Sequence, residues 1–156
     1  MSNNGSDTPQ VIIFPPLLYI GPLLLGSLAH VLYPLPGLPL ALALALGSVL
    51  TGSALALLIA ALRAMRQAGT NVDPNQPTTT LVVKGPFRFS RNPIYLAFTL
   101  LYGGTAVLAN ALWAVLLLPL VLAVLRYGVI TREEEYLERK FGGEYLAYKS
   151  RVRRWI

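Results

Sequence analysis

Residues 93–130 read PIYLAFTLLYGGTAVLANALWAVLLLPLVLAVLRYGVI, and Arg126 is the one charged side chain among them. A helix crosses the hydrocarbon of a bilayer with about 20 residues at about 1.5 Å each. This stretch is therefore long enough to cross and return, with a turn near Asn110 separating Pro93–Ala109 from Ala111–Ile130. The first limb is short, so it must borrow residues at its ends or thin the bilayer locally. A polar block lies on either side of this hairpin. One runs Lys84-Gly85-Pro86-Phe87-Arg88-Phe89-Ser90-Arg91-Asn92-Pro93-Ile94-Tyr95; the other runs from Arg132-Glu133-Glu134-Glu135-Tyr136-Leu137 to Phe141-Gly142, then Tyr145 and Tyr148. A hairpin that crosses and returns brings both blocks to one membrane face, where cations, carboxylates and aromatics can enclose a charged ligand.

Upstream lie two further apolar segments, Val11–Tyr33, interrupted by Pro15-Pro16 and Pro22, and the Leu/Ala-rich Leu38–Leu62. The 156-residue chain is 54% hydrophobic and 13% charged, against about 25% charged in an ordinary soluble domain. These features predict an all-α integral membrane bundle of about four transmembrane helices and a C-terminal amphipathic helix. Residues 1–10 form a polar, disordered tail, and 11–156 form one domain. Its parts are an N-terminal helix pair (11–66), a loop (67–92), the hairpin (93–130) and a C-terminal segment (131–156).

All 13 Lys and Arg fall within residues 63–91 and 126–154, and the predicted turns at 33–39 and 109–112 carry none. This asymmetry is the positive-inside pattern. It places both termini, the 67–92 loop and the C-terminal segment in the cytoplasm, and it explains the net charge of +6 without nucleic acid. The absence of cysteine and the single histidine, His30, exclude thiolate chemistry, disulfides and a multi-histidine metal site. There is no GxGxxG after a strand, no P-loop and no Ser-His-Asp set. No acidic residue lies inside an apolar segment, which weighs against a proton-coupled carrier.

Several residues are candidates for chemistry. Asn92 and Pro93 suit an N-cap and a first helical position. With Arg88 and Arg91 nearby, that helix start can hold an anion, although the arginines can equally meet lipid phosphates. Glu133 is in phase with Leu137 on an inward face, and Glu134 is offset from it. Tyr95, Tyr136, Tyr145 and Tyr148 suit an interfacial aromatic belt, the favoured reading, or a wall for an adenine or a sulfonium. Leu137, Phe141, Tyr145, Tyr148, Val152 and Trp155 repeat at helical spacing, with Gly142-Gly143 as a break. Arg126 can snorkel to the interface, and His30 sits toward the opposite end. The loop 67–83 is rich in Gly, Asn, Pro and Thr and favours turns; its length suggests a functional segment. Gly47, Gly52, Gly103 and Gly104 offer small-residue surfaces for helix association.

Taken together, Gly85-Pro86-Phe87-Arg88, Arg91-Asn92-Pro93-x-Tyr95, Glu133-Glu134-x-x-Leu137 and Phe141-Gly142-x-x-Tyr145-x-x-Tyr148 with Val152 resemble the isoprenylcysteine carboxyl methyltransferase family, which is related to the membrane phospholipid methyltransferases. The resemblance covers residues 69–155. It implies a membrane methyltransferase that uses S-adenosylmethionine without a Rossmann domain, with the pocket for it at the cytoplasmic face. By motif, Arg91, Asn92, Pro93, Tyr95, Glu133 and Glu134 would line that pocket, and Tyr145 and Tyr148 would cover it. Arg91 and the helix start would take the carboxylate, Glu133 or Glu134 the ribose hydroxyls or amino group, and Arg88 or Arg126 would orient an anionic acceptor. Many members have His where this chain has Asn92, so a role needing an imidazole is in doubt. The acceptor is expected to be lipophilic or membrane-delivered, a carboxylate, thiol or amine, and the compact chain suggests a prokaryotic plasma membrane. The alternative is a non-catalytic scaffold or carrier that binds anionic lipid or a partner protein.

Overall fold

A computed structural model of the chain describes residues 8, 9, 11–73 and 76–156. The tail expected over 1–10 lies, except for Thr8 and Pro9, outside the described residues. Among the described residues every regular element is helical: α1 (Pro15–Leu32), α2 (Leu40–Gln67), a 3₁₀ turn (Gly85–Arg88), α3 (Pro93–Leu108), α4 (Leu112–Leu125), a π-helical turn (Arg126–Ile130), α5 (Thr131–Phe141) and α6 (Gly143–Arg151). Among the described residues, α1, α2 and the continuous rod from Leu112 to Phe141 are long and apolar enough to cross a membrane. The 16-residue α3 is shorter, about 24 Å, as its sequence predicts.

The helices pack in two pairs, α2 on α3 and α1 on α4. Small residues set these approaches. Ala43, Gly47, Ala54 and Ala61 are the buried residues of α2, spaced so that they recur on one face. A Cβ placed on Gly104 of α3 would lie 2.5 Å from Thr51 Oγ1, and one on Gly47 would lie 2.6 Å from Leu108 Cγ. Likewise, a Cβ on Gly26 would lie 2.4 Å from Ala114 Cα. Gly47 and Gly104 thus serve packing within the chain, whereas Gly52 and Gly103 meet nothing within 4 Å. Many large apolar side chains of α1 and α2 remain exposed, among them Leu24, Leu25, Leu28, Leu40 and Val49. An apolar belt of this kind suits lipid rather than water.

The two ends of the bundle differ. At one end Asn110, at φ +52°, ties the turn between α3 and α4 to the connection between α1 and α2. Its Oδ1 accepts from Leu38 N–H at 2.9 Å and its Nδ2 donates to Leu38 C=O at 2.8 Å. Trp113 Nε1 donates to Tyr33 C=O at 2.8 Å beside it. The other end gathers the start of α1, the 68–92 loop, the start of α3, and α5 and α6. Chain contacts such as Arg91 N–H to Arg153 C=O and Thr78 N–H to Tyr136 Oη hold that end together. The two polar blocks therefore meet, as the hairpin requires.

Candidate functional site

Where the polar blocks meet they enclose a cavity of about 530 Å³, within the usual range for a small-molecule site. Its polar wall carries Arg91, Asn92, Pro93, Tyr95, Glu133, Glu134, Tyr136, Tyr145 and Tyr148. Its apolar wall comes from the start of α1 (Phe14, Pro15, Pro16), from Leu58, Leu62 and Met65 of α2, and from Ile94 and Phe98 of α3. The loop adds Thr70, Asn71, Val72, Asp73, Thr78, Thr80, Leu81 and Val82. Thr70 Oγ1 accepts from Thr79 N–H at 3.1 Å, and Thr79 Oγ1 donates to Gly69 C=O at 2.8 Å, so the loop is folded on itself.

A π turn leads into the helix that carries the glutamates. A π turn holds one residue more than an α turn, which rotates the face of the following helix by about 100°. Thr131 Oγ1 donates to Arg126 C=O at 2.8 Å across that turn, and Ile12 N–H donates to the carbonyl of Gly128 within it. Glu133 and Glu134 both reach the cavity wall, although the helical phase read from sequence, relative to Leu137 of the same helix, sets Glu134 aside; Glu134 is drawn in by its ion pairs with Arg91 and Arg154.

Glu134 is 6% exposed and is bracketed by two arginines. Arg154 grips it with both branches of its fork, Nε at 3.0 Å and Nη2 at 2.7 Å. Arg91 Nη2 stands farther off, at 3.3 Å. Arg91 is itself 10% exposed in its side chain, and its Nε and Nη1 have no hydrogen-bond partner among the described residues. A buried charged donor without a partner costs free energy. Arg91, Arg154 and Glu134 thus form a cluster of two positive groups and one negative group in which Arg91 keeps donors without an acceptor among the described residues, while Glu133 and Asp73 also line the cavity. Glu133 Oε1 accepts from Tyr95 Oη at 2.5 Å.

The tyrosines form part of the wall, not an interfacial belt. Tyr95, Tyr136, Tyr145 and Tyr148 are all under 9% exposed, because the loop and the C-terminal segment cover them. Tyr145 and Tyr148 lie with ring centroids 6.3 Å apart, and Tyr148 Oη donates to Phe87 C=O at 2.7 Å. Burial, helped by the charge of Glu134 and opposed by that of Arg91, pushes the Tyr145 hydroxyl up to about 12. Burial raises Tyr148 as well. Tyr136 Oη receives Lys140 Nζ at 3.1 Å together with Thr78 N–H.

Asn92 stands at the N-cap of α3 but makes no side-chain cap bond. Its Nδ2 donates instead to Arg154 C=O at 3.0 Å, and its own N–H is taken by Ser90 Oγ at 3.1 Å. Arg88 and Arg126 are exposed and are not among the residues that line the cavity. The Arg126 guanidinium lies 5.4 Å from the ring centre of Tyr127. His30 is far along α1, near the Asn110 end. Arg154, the partner of Glu134, is the residue of this cluster that the sequence does not single out: it sits in a basic tail where nothing local separates it from Arg151 or Arg153. The apolar wall from α1 and α2 is equally silent in sequence, since Leu58 and Leu62 look like any residues of a lipid-facing helix.

A protein-family model described as phospholipid methyltransferase matches residues 42–144. An uncharacterized protein of Haemophilus influenzae is 45% identical over 63 residues, which cover 40% of this chain and 89% of that protein. No solved structure matches.

Proposed function

The chain belongs to the phospholipid methyltransferase family of membrane methyltransferases, and from that premise we propose that it uses S-adenosylmethionine to methylate a lipophilic acceptor at the cytoplasmic face. The observation that carries this reading is Arg91. Among the described residues, two of its buried nitrogens lack an acceptor on the wall of the cavity, which suits the carboxylate of an amino-acid-bearing ligand. The donor set fits the rest of S-adenosylmethionine. Glu133, with Tyr95 on one oxygen, has capacity left for ribose hydroxyls or an ammonium group. Glu134 is already gripped by Arg154, so it acts through the arginines. The rings of Tyr145 and Tyr148 supply π surface for an adenine or a sulfonium.

When bound, S-adenosylmethionine supplies an electrophilic methyl group. The chain's own part is to hold the donor, align an acceptor and keep water out, and such positioning can supply about 7–11 kcal/mol of a barrier. The apolar wall of Phe14, Leu58, Leu62 and Phe98 admits the acceptor from the bilayer side. A carboxylate or thiolate acceptor needs no base. For an amine, Glu133 is placed to receive the proton, a role that Asn92 cannot fill because an amide does not titrate. Arg88 and Arg126, outside the cavity, contact lipid phosphates or an anionic headgroup.

The test is transfer of labelled methyl from S-adenosylmethionine, with protein in nanodiscs, to lipid extracts and to a panel of lipophilic carboxylates, thiols and amines. Label in an organic-soluble product, lost in Arg91→Ala and Glu133→Gln, is the expected result. No product from any acceptor, together with no binding of S-adenosylhomocysteine, refutes the reading. A scaffold or carrier then replaces it.

A further inference from the structure

We propose that Arg154 is a positioning residue, which by occupying Glu134 keeps Arg91 available for the carboxylate of the ligand. The inference rests on the reading of the cavity as an S-adenosylmethionine site. Past α6 the backbone becomes extended at Val152, and the last residues lie as a strap along residues 90–92. Arg91 N–H donates to Arg153 C=O at 3.0 Å. The carbonyl of Arg154 receives Asn92 Nδ2 at 3.0 Å and Ser90 Oγ at 3.3 Å. Trp155 packs against the buried core of the bundle. Four contacts thus fix the strap where the Arg154 side chain meets Glu134.

The geometry of that meeting sorts the three charges. A carboxylate and an arginine prefer a paired, two-bond fork. Glu134 has one carboxylate and two arginines to serve, and Arg154 holds the forked position on both oxygens. Arg91 is left with a 3.3 Å approach to that carboxylate, with a contact to Tyr145, and with Nε and Nη1 lacking a hydrogen-bond partner among the described residues. Without Arg154, Glu134 is free to take Arg91 into its own fork. The trio's net charge of +1 would fall to zero, and Arg91 would turn its donors from the cavity to Glu134. Asn92 contributes to the same device by holding the strap, a task that needs a donor and no proton exchange.

The test compares two ligands on full-length protein in nanodiscs. S-adenosylhomocysteine carries the carboxylate; 5′-methylthioadenosine shares the nucleoside and the thioether but lacks the amino acid. Arg154→Gln is expected to weaken S-adenosylhomocysteine about tenfold or more, the scale of one charge-assisted contact. It should change 5′-methylthioadenosine by less than about twofold, the discrimination expected of Arg91→Ala. Arg154→Lys, which keeps the charge but not the fork, should fall between the Gln variant and wild type. Equal losses for both ligands would mean that Arg154 only supports the fold, and unchanged affinity for both would mean that it does not act on Arg91; either result overturns the proposal. Wild-type protein that binds neither ligand overturns the cavity reading itself, and is distinguishable from both.

Discussion

Replacing Glu134 by Gln removes one charge and little volume, and it separates the buried cluster from simple packing. Three arginine contacts at 2.7, 3.0 and 3.3 Å converge on this carboxylate. Breaking a buried ion pair by neutralising one partner costs about 3–5 kcal/mol, because the surviving charge stays desolvated. Here two cations survive. Arg154 keeps 28% of its side chain exposed and can turn toward water, whereas Arg91, at 10%, cannot. The cost therefore falls at the lower end, about 3 kcal/mol. With a conversion of about 2–4 °C per kcal/mol for a chain of this size, the midpoint should drop by about 6–12 °C. The assay is thermal unfolding in nanodiscs beside Glu135→Gln, whose carboxylate is exposed and whose loss should stay within about 0.5 kcal/mol. A double variant, Glu134→Gln with Arg154→Gln, should recover part of the loss, because one orphaned cation remains instead of two. If the midpoints of Glu134→Gln and Glu135→Gln agree within error, the cluster is not buried and the reasoning fails.

Three further outcomes are expected. Gly104→Ala should destabilise the α2–α3 pair by about 1–3 kcal/mol, since its Cβ would meet Thr51 at 2.5 Å; Gly103→Ala, with open space around it, should be neutral in the same melts. Asn110→Ala should cost about 1–2 kcal/mol through the two lost bonds to Leu38, and Asn110→Gly should cost less than a loss of both bonds implies, because glycine accepts the positive φ. Tyr145 holds its proton to about 12 when folded but only to about 10 when unfolded. The unfolded chain loses that proton first, so this contribution is intact below pH 10 and is lost as pH rises through 12. Tyr145→Phe should flatten that alkaline slope in pH-dependent unfolding.

Much of the architecture was legible because membrane helices declare themselves by length and charge. The turn at Asn110, the break at Gly142 and the meeting of the two polar blocks follow from residues 84–148 alone. The site was legible as a set of motifs, and Arg91, Asn92, Tyr95, Glu133, Glu134, Tyr145 and Tyr148 do share one wall. What periodicity missed has tertiary causes. The buried pairing of Glu134 with Arg91 and Arg154, 43 and 20 residues away in sequence, is what no local composition announces. The tyrosines are covered by segments distant in sequence, so a belt reading from interfacial position alone fails. Asn92 looks like a helix cap because Asn often is one, yet its amide is taken by the strap. Gly47 and Gly104 look available for association until α2 and α3 are seen to close on them.

On the proposed function, Arg91 holds the carboxylate of S-adenosylmethionine in this cavity. Calorimetric titration of S-adenosylmethionine and S-adenosylhomocysteine into wild-type protein and Arg91→Ala, both in nanodiscs, tests it most directly. The account predicts saturable binding to wild type, weakened about tenfold or more in the variant. Equal affinity in the two proteins, or none in a well-folded wild type, would contradict it.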